Sequence, residues 1–208
     1  MRPSYQAKFV IRTLMSIAFG GMVTMGCKKD PIVTSPLIVG ETIAYIIAAG
    51  DTVILNSSSP GFITDATVYK TIGFPDSSSA IYASQLYQGS ALHPAIIIKK
   101  GTLNFSDTIA DEADFINFFE TGVQEWSVNA FNGVEVIYVD PQGTVWSTSE
   151  VGGYQGSHQF TITEAIPFID NGERCVKIKA VFDCTLYHPA YQPIDLLKGV
   201  YIGIFRNL

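Results

Sequence analysis

The stretch Val176-Lys-Ile-Lys-Ala-Val-Phe-Asp-Cys-Thr-Leu186 decides the fold, because apolar and mostly polar side chains alternate along it. A period of two is typical of a half-buried β-strand, in which successive side chains point to opposite faces. We therefore predict one long strand over residues 175–187, with one face of the strand against a hydrophobic core.

The same alternation sets the expected positions of two cysteines. Cys184 shares the apolar face, and it is predicted to be a small core side chain. Cys175 is an odd number of residues from Cys184, so its side chain is on the opposite face of the strand. It is predicted to be a free thiol that faces outward near a strand end. Nine residues of extended chain span roughly 30 Å, whereas a disulfide needs Cα atoms within about 7 Å. No disulfide is therefore expected, and no CxxC or paired-histidine spacing suggests a nucleophile or a metal ligand.

Two turns predict the neighbours of the long strand. Asp140-Pro-Gln-Gly143 has Pro at position i+1 of a type I turn and Gly at a left-handed position, so it predicts a hairpin. The turn Asp170-Asn-Gly172, preceded by Pro167, leads into the long strand. The predicted strands besides the long one are Thr42–Ala48, Thr52–Leu55, Thr67–Ile72, Ala80–Tyr87, Ala95–Lys100 (ending at Gly101), Val134–Val139, Thr144–Thr148, His158–Thr163 and Val200–Arg206.

A single helix is predicted among these strands. Asp111 is its expected N-cap, with further acids in the first turn. Apolar residues at 115, 116, 118 and 119 form one face of the helix, and Gly122 is the expected stop. The predicted fold class is mainly β: an antiparallel β-sandwich or partly open barrel with one short α-helix, after an N-terminal signal helix.

The N-terminus has the features of a lipoprotein signal peptide. Residues 1–12 are basic, and residues 13–26 are apolar but too short and glycine-rich for a bilayer span of about 20 residues. Met25-Gly26-Cys27 resembles the end of a lipobox, although Thr24 stands where Leu is common. We therefore predict a signal peptide at 1–26, an acylated Cys27 with a flexible tether at 27–40, and a single β-rich domain at 41–208. The alternative is an ordinary secretory signal with an unmodified cysteine.

Charge excludes some partners of the mature chain. Arg2, Lys8 and Arg12 are three of the 13 basic residues, and all 19 acidic residues follow them, so residues 28–208 carry a formal charge of −9. Nucleic acid and anionic headgroups both require clusters of Lys and Arg. We therefore expect no nucleic-acid partner, and we expect membrane contact only through lipid at Cys27.

Several segments carry a resemblance to a known group of proteins. The order of features from Ile81 to the C-terminus, and the start Cys27-Lys-Lys-Asp30, resemble uncharacterised Bacteroidetes lipoproteins with a domain of unknown function. The resemblance implies a mainly β envelope domain, lipid-anchored at the outer membrane, and it brings no catalytic residues. The segments that carry it are Lys100-Gly-Thr-Leu103, the Phe-rich 115–119, Gly133-Val-Glu-Val-Ile-Tyr-Val-Asp140, Trp146-Ser-Thr148, Gln159-Phe-Thr-Ile-Thr163, Phe182-Asp-Cys-Thr-Leu-Tyr187 and Gly203-Ile-Phe205.

Two groups of polar residues are candidate sites. The acids Asp107, Asp111, Glu112 and Asp114 offer oxygen ligands for Ca²⁺, but they do not follow EF-hand spacing and helix capping explains most of them. Ser157-His158 suggests a hydrolase, but the chain has no GxSxG motif, and adjacent strand residues point to opposite faces. The three histidines also lack metal-ligand spacing. We therefore expect no catalytic residue, no metal and no cofactor.

Aromatic residues are the remaining candidates for a site. Trp and Tyr on a rigid sheet can stack on a sugar or anchor a protein partner, and otherwise they fill the core. Trp146, Tyr154 and Trp126 are the candidate ligand-binding residues. The first hypothesis is a non-enzymatic, lipid-anchored binding or structural module with a glycan or protein partner. The alternatives are an envelope hydrolase acting on glycans or esters and a carrier of a small apolar ligand.

Overall fold

The computed structural model describes residues 41–48, 50–73, 77–89, 93–128 and 132–208. The predicted signal helix, Cys27 and the tether lie outside these residues. The described chain is mainly β with one short α-helix, as the alternating pattern predicts. Its elements in chain order are β1 (Ile43–Ala48), β2 (Asp51–Asn56), β3 (Phe62–Thr71), β4 (Ser78–Gln88), β5 (Ala95–Phe105), α1 (Glu112–Phe118), β6 (Gly122–Gln124), β7 (Gly133–Val139), β8 (Val145–Ser147), β9 (Phe160–Asp170), β10 (Glu173–His188) and β11 (Tyr191–Asn207).

The strands form one antiparallel sheet that does not close into a barrel. The order is β2-β1-β11-β10-β8-β7-β5-β4-β3, and β9 pairs with β10 while β6 pairs with β9. Only the pair Tyr187–Ser147 joins β10 to β8, so the sheet divides there into two halves. The halves face each other. A hydrogen bond that Tyr201 of β11 donates to Ser84 of β4 at 2.8 Å spans the space between them. The predicted sandwich or partly open barrel is confirmed.

The core lies between the two halves and is rich in aromatic rings. Tyr82, Phe115, Phe119 and Phe205 form a cluster at one end, with centroids 4.5–5.8 Å apart in the contacting pairs. The predicted apolar face of the long strand is buried from Val176 to Leu186. Burial of this face offsets the conformational entropy lost in ordering the long strands.

Helix α1 covers this end of the core. Phe115 is buried, and Phe119, directly after the helix, packs edge-on against it at 5.4 Å between centroids. Asp111 occupies the predicted N-cap position but makes no side-chain capping bond. The predicted stop at Gly122 is wrong, because the helix ends at Phe118 and Gly122 begins β6. Packing of the two rings therefore holds this short helix in place more than its capping does.

The predicted ends of two strands, at Thr163 and at Gly101, are also wrong. Pro167 lies inside β9, opposite Val176. Among the described strands none is paired to the other side of this part of β9, and an edge of a sheet is where Pro is tolerated. Gly101 lies inside β5 opposite Gly133, next to a register shift between β4 and β5. A glycine in such an irregularity bends a strand instead of ending it.

The turn between β9 and β10 depends on one glycine. Asn171 and Gly172 have φ values of 50° and 84°, which matches the type I′ turn of a two-residue hairpin. A Cβ atom on Gly172 would meet nothing within 4 Å, so Gly172→Ala adds only backbone strain. We expect the free energy of unfolding to fall by about 1 kcal/mol, measured by urea denaturation. Asn171→Gly is the control and should change it by less than about 0.5 kcal/mol. An unchanged stability of Gly172→Ala would contradict the assigned turn.

The domain has two distinct ends. The helix α1, the β9–β10 turn and the end of β11 lie at one, which we call the helix end. The β1–β2, β7–β8 and β10–β11 turns lie at the other, which we call the turn end, as the antiparallel registers require. Glu41, just before β1, is bound through its carbonyl oxygen by the ammonium group of Lys177, whose strand starts at the helix end. The described chain therefore enters β1 on the helix-end side and runs toward the turn end.

Candidate functional site

A cleft of about 330 Å³ opens at the turn end of the sandwich. Three separate parts of the chain meet there: the β1–β2 turn, the β7–β8 hairpin and the start of β11. Its apolar lining comes from Ala48, Val53, Tyr138, Pro141, Trp146 and Ile194, and its polar lining comes from Asp51, Asp140 and Gln142. Loops held by a rigid sheet are a common position for a binding site.

Trp146 lies against this cleft and is 8% exposed. It pairs with Tyr138 across β7 and β8, so both side chains point to the core side of the sheet. The indole N–H donates a hydrogen bond to Oδ2 of Asp140 at 3.3 Å. Trp146 therefore occupies one defined orientation at the boundary between the core and the cleft.

Two further aromatic rings extend from Trp146 toward solvent. The rings of His188 and Tyr191 lie 5.5 and 5.8 Å from the indole, and 4.6 Å from each other, by centroid. Tyr191 is 60% exposed. We call Trp146, His188 and Tyr191 the aromatic cluster. The sequence pattern did not assign Tyr191 or His188 to a site. The two residues lie more than 40 positions from Trp146 in the chain, so a local pattern could not show that their rings contact the indole.

Asp140 is fixed by the hairpin turn that the sequence predicted. Its Oδ1 atom accepts hydrogen bonds from the backbone N–H groups of Gln142 at 2.9 Å and Thr144 at 2.8 Å. Partial burial opposes ionisation of this carboxyl group, but these bonds and the bond from Trp146 outweigh it, so the pKa of Asp140 lies below its ordinary value. The cleft thus contains a carboxylate that stays ionised at neutral pH and is held in place.

The structure does not bring the three candidate aromatic residues together. Tyr154 is 82% exposed, and its carbonyl oxygen accepts a hydrogen bond from Tyr187 at 2.5 Å. Because Tyr187 pairs with Ser147, this contact lies on the face of the sheet opposite to Trp146. Trp126 is half-buried, donates to the carbonyl oxygen of His158 at 2.8 Å, and packs against the core. Of the three, Trp146 alone lines the cleft.

Ser157 and His158, which suggested a hydrolase, do not form a nucleophilic site. Nδ1 of His158 lies 2.6 Å from Oδ2 of Asp183, which is an acid–histidine pair. Within the described ranges, no hydrogen bond joins Ser157 or another serine to the ring of His158. The pair therefore lacks the hydroxyl that a serine hydrolase needs.

The four acids near helix α1 do not converge on a metal site. Asp107 accepts a hydrogen bond from the N–H of Thr108, and Glu112 pairs with Arg174 at 3.2 Å. In the part of the chain that the structure describes, no group of three or more His, Cys, Asp or Glu side chains is placed to hold a metal ion.

A buried ionic cluster lies on the outer face of β5, β7 and β8, and the sequence analysis missed it. The carboxylate of Glu135 is 6% exposed, and its Oε2 atom lies 3.1 Å from Nζ of Lys99. Its Oε1 atom accepts hydrogen bonds from Ser147 at 2.6 Å and Ser149 at 2.5 Å. Burial opposes ionisation, but the two hydroxyls and the ammonium group together hold the pKa of Glu135 below its ordinary value. These four residues form a structural network in which Oε2 of Glu135 has the ion pair with Lys99 but no hydrogen bond.

Cys175 and Cys184 are both free thiols, but the predicted exposure of Cys175 is wrong. Cys184 is buried in the core as predicted. Cys175 was predicted to face outward, yet it is 1% exposed. Its cross-strand neighbours Phe168 and Arg206 lie on both sides, with Nη1 of Arg206 3.7 Å from Sγ, and they cover it. Burial raises the pKa of both thiols, so neither is an activated nucleophile.

Comparison with known protein families, curated proteins and solved structures found no match for this chain. Among the helical residues that the structure describes, no helix is long and apolar enough to span a bilayer. The function is therefore argued from the cleft and from the sequence.

Proposed function

We propose that this chain is a lipid-anchored protein of the bacterial cell envelope, at the outer membrane, and that it acts as a non-enzymatic binding module. The binding part rests on one observation, the cleft that contains Trp146 and the fixed carboxylate of Asp140. Aromatic rings beside a few oriented polar groups are typical of small-ligand sites. The anchoring part rests on the lipobox-like sequence that ends at Cys27.

The chemistry of the cleft favours binding over hydrolysis. A glycosidase needs a carboxylic acid that donates a proton, and such an acid has a raised pKa. The pKa of Asp140 is shifted in the opposite direction, and the bonds from Gln142, Thr144 and Trp146 keep its carboxylate in a fixed position. Asp140 thus suits recognition of a ligand, not protonation of a leaving group.

The packing of the interior favours a binding site on the surface over an internal cavity that carries a ligand. Tyr82, Tyr201, Phe160 and Phe205 are fully buried between the two halves of the sheet. Rings of this size occupy the space that an apolar ligand would need. The cleft at the turn end, in contrast, is open to solvent.

Tryptophan fluorescence tests the binding proposal. The chain has two tryptophans, so Trp126→Phe leaves Trp146 as the only indole. We expect one class of probe from a panel of neutral oligosaccharides, organic cations and organic anions to change the emission saturably in this variant. Trp146→Phe should abolish the signal and weaken the affinity by about tenfold, measured by calorimetry. If no probe changes the emission of Trp146, the cleft is not a site for these ligands and the proposal fails.

Mass spectrometry of the protein isolated from membranes tests the anchor. We expect a mature N-terminus at Cys27 that carries the mass of a diacylglyceryl group, with or without an amide-linked acyl chain. Two or more acyl chains give stable attachment, since each buried CH₂ contributes about 0.8 kcal/mol. Cys27→Ser should release the protein from the membrane fraction. An unmodified Cys27 or cleavage elsewhere would refute lipid attachment.

A further inference from the structure

The carboxylates of the cleft lack the basic partners that three acidic side chains at the helix end have. Glu112 pairs with Arg174, and both Asp170 and Glu173 pair with Arg206 at 2.6 and 2.9 Å. Asp51 and Asp140, in contrast, have no basic partner among the described side chains, and no Lys or Arg lines the cleft. The cleft therefore holds negative charge that the domain itself does not neutralise.

We infer that the ligand of this cleft is a small organic cation, whose ammonium or guanidinium group lies between Asp51, Asp140 and the indole of Trp146. This inference rests on the proposed binding function and names its ligand class. Two carboxylates without a counter-charge attract a cation and repel an anion. The formal charge of −9 over residues 28–208 adds a long-range attraction of the same sign.

Hydrogen bonding prepares both Asp140 and Trp146 for a cation. Oδ1 of Asp140 accepts two backbone bonds, whereas Oδ2 accepts the longer bond from the indole at 3.3 Å, and each carboxylate oxygen can accept more than one bond. Donation from Nε1 to a carboxylate also places negative charge beside the ring, which strengthens the attraction between the ring and a cation. A ligand cation would thus meet groups that need no rearrangement.

The size and exposure of the cleft favour a small cation over a sugar. A volume of about 330 Å³ is at the lower end of ligand pockets. A pyranose stacks on a broad, open aromatic face, but Trp146 is 8% exposed because His188 and Tyr191 pack against it. A single ammonium or guanidinium group needs a smaller contact, and the carboxylates supply most of the attraction.

Three probes of different charge test the ligand class on the full chain in a nonionic detergent. Agmatine is the cation, N,N′-diacetylchitobiose is the neutral sugar, and glutarate is the anion. We expect agmatine alone to bind saturably by calorimetry and to change the fluorescence of Trp146 in Trp126→Phe. Added salt should weaken this binding, since it screens a charge-based interaction.

Matched variants assign the binding to the cleft. Asp51→Asn should weaken agmatine binding about tenfold, because it removes a charge near the ligand cation. Asp114→Asn removes the same charge on helix α1 at the opposite end and should leave the affinity unchanged. Binding of the sugar or glutarate in preference to agmatine would overturn the cationic ligand and leave the binding function standing. Binding of none of the three would overturn both.

Discussion

Phe119→Ala is expected to lower the free energy of unfolding by about 3–5 kcal/mol, the cost of removing a fully buried phenylalanine. Phe119 is 0% exposed and contacts Phe115, Phe205 and Tyr82. Alanine would leave a cavity where the helix end, β4 and β11 meet, and neighbouring rings cannot collapse into it without leaving their own positions. Chemical denaturation monitored by far-UV circular dichroism measures the change.

Tyr154→Ala is the matched control, since it truncates an aromatic side chain that is 82% exposed. It should change the stability by no more than about 0.5 kcal/mol. Equal losses for the two variants would show that Phe119 is not part of the core. Because Phe119 is at the helix end, Phe119→Ala should leave ligand binding at the turn end intact under conditions where the protein remains folded.

Lys99→Met is expected to cost about 3 kcal/mol at neutral pH, the second largest effect. It removes the ammonium group 3.1 Å from Glu135 and leaves a carboxylate that is 6% exposed without a counter-charge. The hydroxyls of Ser147 and Ser149 still donate to it but do not neutralise it. Adding Glu135→Gln to Lys99→Met should recover part of the loss, which a double-mutant cycle by urea denaturation measures.

Lys179→Met is the control for this cluster. It breaks an ion pair of the same length with Glu164, whose carboxylate is 42% exposed. Water can solvate that carboxylate, so we expect a loss below about 1 kcal/mol. A larger loss for Lys179→Met than for Lys99→Met would contradict the role of burial.

The stability of the wild-type chain should also depend on Glu135 at acid pH. Its folded pKa is below the ordinary value of a glutamate, which the unfolded chain has. The unfolded state therefore binds the proton first, and the contribution of Glu135 to stability is complete above the unfolded pKa. It is lost as the pH falls through the folded pKa. Glu135→Gln should reduce the fall in the free energy of unfolding at acid pH, measured by urea denaturation over a pH series. An unchanged fall would show that other groups cause the acid sensitivity.

Local patterns in the sequence predicted much of the fold. The alternation from Val176 to Leu186, the turn at Asp140–Gly143 and the turn at Asp170–Gly172 all predicted the observed strands and hairpins. Each depends on residues close together in the chain. Pro167 and Gly101 were expected to lie outside or at the end of a strand, but both lie inside one. Whether a strand tolerates Pro or Gly depends on the neighbouring strand, which a local pattern does not reveal.

The candidate site was predictable only in part for the same reason. Trp146 was a candidate because it is an aromatic residue on a predicted strand, and it does line the cleft. Asp51 and Ile194 reach the same cleft from distant parts of the chain, which no spacing could indicate. Cys175 was placed outward by its parity, but Phe168 and Arg206 on the adjacent strands cover it.

The direction of β1 separates the first described residues from the cleft. The chain enters β1 on the helix-end side, and the six residues of β1 carry it about 20 Å to the turn end. The described chain thus begins at one end of the sandwich and has its cleft at the other, so a ligand reaches the cleft on the side remote from Glu41.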